Sequence, residues 1–198
     1  MGEQEKFDPI LLDLPEQIAT ARLTLRPPRA GDGAKINAAV VESAKELAKW
    51  MPWARPTPAV RDTELWVRNS AVKFLARQDL NFSLYLKGTD TFIGSCGVPR
   101  MNWDVPMFEI GYWLRASQCG KGYMAEAVEA VTRFAIEHLK ARRIEIRCDD
   151  RNVRSYRVAE RAGFTLEGVL RSDARCTMDA AKLRDTRVYA FIPPTSGT

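Results

Sequence analysis

Gln118-Cys119-Gly120-Lys121-Gly122-Tyr123-Met124 is the stretch on which the reading of this chain turns. Two glycines just ahead of a helical pattern leave backbone N–H groups bare and pointing outward, and the helix N-terminus adds partial positive charge. Together they make a seat for a phosphate or pyrophosphate. Upstream, residues 107–114 (M-F-E-I-G-Y-W-L) have the aromatic and branched composition of a strand. Downstream, Met124, Val128, Val131, Ala135 and Leu139 recur at helical spacing. A strand, an anion-binding turn and an amphipathic helix in series are a nucleotide-cofactor signal.

Three readings of the turn compete. A glycine-rich turn with no ligand is the plainest, since short G-x-G motifs recur without function. A dinucleotide fold is the second: Gly120, Gly122 and Ala125 fit G-x-G-x-x-[G/A], and Asp149 and Asp150 end the next strand, where a ribose-binding acid belongs. Two facts oppose it. The five residues 115–119 separate strand from turn, and only 76 residues follow Gly122, too few for a doubly wound sheet. The third reading is the pyrophosphate loop of an acyl-coenzyme A transferase, and the rest of the chain bears on it.

At 198 residues the chain is long enough for one domain with a proper core, and 45% hydrophobic with 28% charged residues is ordinary for a globular protein. No run of 18 apolar residues and no basic-then-apolar leader occurs, so neither a membrane span nor a secretory signal is expected. Cys96, Cys119, Cys148 and Cys176 are widely spaced, without a C-x-x-C pair, which fits a reduced cytoplasmic protein rather than a disulfide or zinc framework. His138 is the only histidine, so a Ser-His-Asp triad or a multi-histidine metal site is not expected. The net charge of +5 suits an anionic cofactor, but basic and acidic residues alternate, with no basic stripe of the nucleic-acid kind.

Residues 1–19 read as a loosely attached N-terminal extension punctuated by Pro9 and Pro15, and residues 193–198 as a polar tail. Between them, residues 20–192 form the domain. R-L-T-L-R at 22–26 alternates as a strand, and Asp32 is placed to cap a helix with Ile36, Val40, Ala44, Leu47 and Met51 on one face. The proline-broken segment 50–58 is a loop or a broken helix, and a helix capped near Asp62 or Thr63 runs toward Leu75. Strands are expected at 82–86, 91–98, 107–114, 143–148, 164–170 and 186–192, with a short helix from Asn152 ended by Gly163. The result is an α/β fold: a mixed sheet of about seven strands flanked by about four helices.

This order, with a glycine turn after the fourth strand, resembles the GNAT acyltransferases that use acetyl-coenzyme A. A second block, Asn152-x-x-Ser155 continuing to Gly163-Phe164-x-x-Glu167-Gly168, is similar to the RimJ/RimL branch, which acetylates N-termini of ribosomal proteins. R-L-T-L-R, E-I-G-Y-W-L and Arg184-Asp185-x-x-Val188-Tyr189 agree with it, so the resemblance runs from about residue 20 to 192. It implies that the fourth and fifth strands splay apart and take the pantetheine arm between them. Backbone groups of Tyr112, Trp113 and Leu114 would bond that arm, and Asn152 would meet it from the other side. The N–H groups from Cys119 through Gly120, Lys121, Gly122 and Tyr123 to Met124 would hold the pyrophosphate, with Lys121 adding charge at the rim. Ser155 would sit by the thioester sulfur. The turn departs from the common family pattern by starting at Cys119 and ending at Met124, and the tyrosine that many members use as acid falls at Ala159, which leaves Ser155.

The implied reaction is attack of a neutral amine on the thioester, which needs an acceptor for the amine proton and a donor for the departing thiolate. An α-amino group titrates near 7.7–8 and a lysine near 10.4, so an N-terminal acceptor asks less of a base. Ser155 is expected to donate to the sulfur and Glu109, through water, to take the amine proton. Glu109 has a plainer alternative, a cross-sheet pair or a contact orienting Arg115, and Glu167 and Asp173 are weaker candidates. Cys119 lacks a histidine partner, and direct transfer needs no acyl-enzyme. Trp50 and Trp53 in the proline-broken segment mark a specificity region. The acceptor is expected to be a protein N-terminus of the ribosomal-protein type, with a small amine (polyamine, amino acid analogue or antibiotic) or a silent coenzyme A-binding module as alternatives. No metal is expected, and the state is monomer or homodimer.

Overall fold

The computed structural model describes residues 7–194. Its elements, in order, are β1 (Ile18–Ala19), β2 (Leu23–Arg26), α1 (Gly33–Leu47), α2 (Val60–Leu75), β3 (Leu80–Leu86), β4 (Phe92–Asn102), β5 (Met107–Leu114), α3 (Tyr123–Leu139), β6 (Arg143–Asp149), α4 (Val153–Arg161), β7 (Thr165–Arg175) and β8 (Leu183–Phe191). The strands make one mixed sheet in the order β1-β2-β3-β4-β5-β6-β8-β7. Neighbours run antiparallel except β5 and β6, which are parallel and joined through α3, as a parallel pair requires a crossover.

The alternation of β5 sorts residues onto two faces. Phe108 and Ile110 enter the main core with Val128, Val131 and Ala135 of α3. Trp113 turns the other way, onto a second cluster built by Ile36, Ala39 and Val40 of α1 and Val67 of α2. In the main core Phe82 meets Phe74 and Phe134 edge-on, with centroids 5.3 and 5.2 Å apart, the favoured geometry for aromatic pairs.

The sheet has eight strands rather than about seven because Ile18 and Ala19 add to the free edge of β2. The N-terminal segment is also held more firmly than its prolines suggest. Leu12, Leu14 and Ile18 pack on the main core, Phe7 rests against Trp103, and the Arg77 guanidinium donates to the Leu12 carbonyl at 2.6 Å. Asp32 does precede α1, but its carboxylate does not cap the helix. It accepts from the Arg26 guanidinium at 2.7 and 2.8 Å and from the Arg29 N–H at 2.8 Å. Likewise α2 starts at Val60, ahead of the expected cap, and Asp62 accepts from the Ala59 N–H inside the first turn. Gly163 ends α4 as expected, at φ +82°, with the Phe164 N–H returning to the Ala159 carbonyl at 3.0 Å.

One feature of the sheet positions the site. The β5–β6 register covers only Met107↔Arg143 to Glu109↔Glu145, although both strands continue, to Leu114 and Asp149. Beyond Glu109 the two strands part. Their C-terminal ends lead directly to the N-termini of α3 and α4, the end of a parallel pair where ligands bind in open α/β sheets. Among the described residues no helix is long and apolar enough to cross a membrane.

Candidate functional site

The turn before α3 presents a run of bare backbone donors. Gly120 and Gly122 both have φ +80°, a left-handed conformation that costs other residues about 1–2 kcal/mol. Among the described residues, the N–H groups from Gly120 to Ala125 have no acceptor in the chain, while Glu126 begins the helical ladder by bonding to the Gly122 carbonyl. The Cys119 N–H, expected to join this run, is taken by the Ala116 carbonyl at 3.2 Å. A side chain at Gly120 would meet no protein atom within 4 Å, so the space before these donors is open. The seat fits a pyrophosphate by donor chemistry and by room. Lys121 stands at its rim, with Nζ on the Gln118 side-chain oxygen at 2.9 Å. Tyr123 lies under the Arg22 guanidinium and Met124 is buried in the core, so both offer the seat their backbone only.

The residues between β5 and this turn, whose length argued against a dinucleotide fold, form a 3-10 turn at Ala116–Gln118 docked on α1. Ser43 Oγ accepts from the Ala116 N–H at 2.9 Å, and Glu42 accepts from the Ser117 N–H at 3.2 Å and from the Arg115 guanidinium at 2.6 Å. The Arg115 guanidinium, with help from Ser117, holds the Glu42 carboxyl down to about 2 from an ordinary 4.5. A carboxyl with a lowered folded-state pKa contributes stability above its ordinary value and loses it as the pH falls through the folded value. Wild type therefore loses more stability than Glu42→Gln between about pH 5 and about pH 2.5, which denaturant melts at the two pH values measure. Parallel losses would remove Glu42 from the account.

At the parted strands, α4 brings two side chains to β5. Asn152 is the N-cap, its side-chain oxygen accepting from the Ser155 N–H at 3.2 Å. Ser155 is half-buried in the first turn. Its Oγ lies 3.1 Å from the Tyr112 hydroxyl, which is also 2.9 Å from the Ser155 carbonyl oxygen and donates to it. Burial pushes the Tyr112 phenol well above its ordinary range, and the contact with Ser155 only partly offsets this, so the group stays a protonated donor. Ala159, further along α4, is fully buried in the core. The Tyr112 side chain, considered in the sequence only for its backbone, is thus a member of the site.

Glu109 is not brought into this group. It lies three residues before Tyr112, an odd separation that turns it to the opposite face of β5 and sets it about 10 Å away along the strand. Its partner there is Arg100, at 2.9 Å, and not Arg115, which belongs to Glu42. Glu167 pairs with Arg143, and Asp173 with Arg147 at 3.3 Å. Asp149 and Asp150 shape the turn into α4, as the Asn152 N–H bonds to the Asp149 carbonyl and Asp150 pairs with Arg187. The proline-broken segment reaches β5 through Trp53, whose ring lies 5.9 Å from that of Trp113.

Comparison with known proteins agrees with the fold. The family model described as "Acetyltransferase (GNAT) domain" matches residues 22–165. An uncharacterized N-acetyltransferase p20 of Bacillus licheniformis is 30% identical over 179 residues, 89% of this chain and 94% of that one. The ribosomal-protein-serine acetyltransferase of Escherichia coli (strain K12) is 30% identical over 146 residues, 74% of this chain and 79% of its own length. Among solved structures, RimL, a ribosomal L7/L12 alpha-N-protein acetyltransferase in complex with coenzyme A, superimposes with a TM-score of 0.82 over 89% of this chain and 98% of that one, at 22% identity, a likeness of fold. The chain belongs to the GNAT family of acetyl-coenzyme A-dependent N-acetyltransferases, with its likeness to the RimJ/RimL-type ribosomal-protein enzymes.

Proposed function

We propose that this N-acetyltransferase acts on the α-amino group of a protein N-terminus, of the ribosomal-protein type. The observation that carries the reading is the pairing of Ser155 with Tyr112 where β5 and β6 part, beside a turn of unpaired N–H groups. Acetyl-coenzyme A supplies the activated acetyl thioester. Gly120 to Met124 hold its pyrophosphate through backbone donors, and the backbone of Tyr112, Trp113 and Leu114 meets the pantetheine arm on the edge that β6 has left. Asn152 faces the arm from α4. As the carbon–nitrogen bond forms and the carbon–sulfur bond breaks, the amine gives up one proton and the thiolate gains one. Ser155 gives the departing sulfur a hydrogen bond and its proton and is reprotonated from solvent, while the amine's proton leaves to water, since Glu109 is turned to the other face of β5 and held by Arg100.

The N-terminal acceptor is favoured by what the chain offers as a base. Its one histidine is at the far end of α3, and Glu109 is engaged by Arg100. An α-amino group, titrating near 7.7–8, is partly neutral without help, whereas a lysine near 10.4 is not. The ribosomal-protein-serine relative supports the same class. Trp53 and the proline-broken segment around it form the specificity region, and residues 20–192 the catalytic unit. The free thiols suit a reducing cytoplasm. A thiol-release assay with acetyl-coenzyme A tests the reading on alanine- and serine-starting peptides, polyamines and aminoglycosides. Turnover on the peptides supports it, and turnover confined to a small amine overturns it.

Tyr112 orients Ser155, so Tyr112→Phe should lower kcat about fivefold, the worth of one hydrogen bond, with the KM for acetyl-coenzyme A unchanged. An equal rise in that KM would assign Tyr112 to cofactor binding instead.

A further inference from the structure

We propose that Arg22 is a positioning residue for the cofactor: by holding the Lys121 carbonyl inward it aims the Gly122 N–H at the pyrophosphate, and so makes coenzyme A affinity depend on the N-terminal strand. The proposal rests on the assignment of the turn at 118–124 to the cofactor.

Arg22 begins the strand region that contains β2, about a hundred residues from the turn, and it makes four contacts there. Nη1 donates to the Lys121 carbonyl at 2.9 Å, Nε donates to Glu126 Oε2 at 2.6 Å, its backbone N–H donates to Glu126 Oε1 at 2.8 Å, and the guanidinium lies 4.7 Å above the Tyr123 ring. Thr20 completes the clamp, its hydroxyl donating to Glu126 Oε1 at 2.6 Å. In a trans peptide the C=O and N–H of one plane point in opposite directions. Fixing the Lys121 carbonyl toward Arg22 therefore sends the Gly122 N–H the other way, into the run of unpaired donors. The left-handed backbone at Gly120 and Gly122 is otherwise free to rotate these planes, because glycine restrains neither.

A second consequence concerns charge. Glu126 lies in the first turn of α3, within a few residues of where a doubly negative group would bind. Burial opposes its ionisation, but the Thr20 hydroxyl and the Arg22 N–H and guanidinium hold its carboxyl below the ordinary range, so it stays charged. The Arg22 guanidinium answers that charge, and without it Glu126 keeps only the neutral Thr20 hydroxyl and the residue 22 N–H as partners. Arg22 thus does two separable things, one by geometry and one by charge. Lysine keeps the charge but, as a point donor on a flexible stem, cannot hold Glu126 and the Lys121 carbonyl at once.

Calorimetric titration of the full chain with coenzyme A, with thermal melts alongside, separates the possibilities and needs no acceptor amine. Arg22→Gln should weaken binding by more than about tenfold, and Arg22→Lys should recover less than half of that loss on a logarithmic scale. In ¹⁵N-labelled protein the Gly122 amide should shift on titration of the wild type and respond less in either variant. If Arg22→Gln does not fold, Arg22→Lys and Thr20→Val read the same clamp with less disturbance. Wild-type affinity in Arg22→Gln, whatever its melting temperature, would reduce Arg22 to a structural pair and overturn the proposal while leaving the cofactor site intact. Full recovery by Arg22→Lys would overturn the aiming role in favour of charge alone. Failure of the wild type itself to bind coenzyme A would overturn the cofactor assignment and the proposal with it.

Discussion

Ser155→Ala is expected to lower kcat by about 100-fold while leaving the affinity for coenzyme A unchanged, the signature of a group that acts on the leaving atom. The thiolate released from a thioester ends protonated near neutral pH, since a thiol of this kind titrates near 8.5. A hydroxyl that donates to the sulfur as the bond breaks stabilises that charge. In this chain Ala159 of α4 is buried in the core, and the phenol that α4 does carry, Tyr156, lies under the Arg187 guanidinium. The substitution leaves the local fold in place for two reasons. The N-cap bond runs from Asn152 to the backbone N–H of residue 155, and Tyr112 keeps the backbone carbonyl of that residue at 2.9 Å as its acceptor. No buried donor is orphaned. A single-turnover measurement with saturating cofactor reads the effect on chemistry directly. An unchanged rate would remove Ser155 from catalysis, and a loss matched by weaker coenzyme A binding would assign it to the cofactor site.

Gly120→Val is expected to weaken coenzyme A binding by at least about 100-fold, the loss of two charge-assisted hydrogen bonds, while the melting temperature falls only a few degrees. Two effects act together. A β-branched residue is strongly disfavoured at φ +80°, so the peptide planes on either side rotate and the outward N–H groups lose their common aim. The side chain also points into open space, with no protein atom within 4 Å of its first carbon. The hydrophobic core is not touched, and for that reason affinity suffers far more than stability. Gly120→Ala should fall between the two, because it meets the backbone strain with less bulk. Calorimetry and melts on the same preparations give both numbers. Equal affinity in all three proteins would show that the turn does not hold the cofactor.

The parts of this molecule that repeat a local rule were legible in the sequence. The Gly120–Gly122 turn announced itself because glycines placed against a 3.6-residue apolar period allow the left-handed backbone that bounds a helix. Gly163 stopped α4 for the same reason, and the alternation of β5 gave its faces. What the sequence did not reveal were partners far apart along the chain. Arg22 and Glu126 meet across 104 residues, and nothing in R-L-T-L-R distinguishes a guanidinium that clamps a loop from one that faces solvent. Asp32 looks like a cap until Arg26 and Arg29 claim its carboxylate. The side chain of Tyr112 escaped notice because its backbone already had an assignment. The odd spacing from Glu109 could have shown that the two face opposite ways, but which face α4 covers depends on the crossover.

The most direct test of the central claim uses one peptide that begins with serine, carries an internal lysine and is incubated with the protein and acetyl-coenzyme A at neutral pH, with the acetylated nitrogen located by fragmentation mass spectrometry. The account predicts a single acetyl group on the N-terminal nitrogen, none on the lysine, and loss of the product with Ser155→Ala. Acetylation of the lysine alone, or no product on a peptide while a polyamine is acetylated, would contradict it.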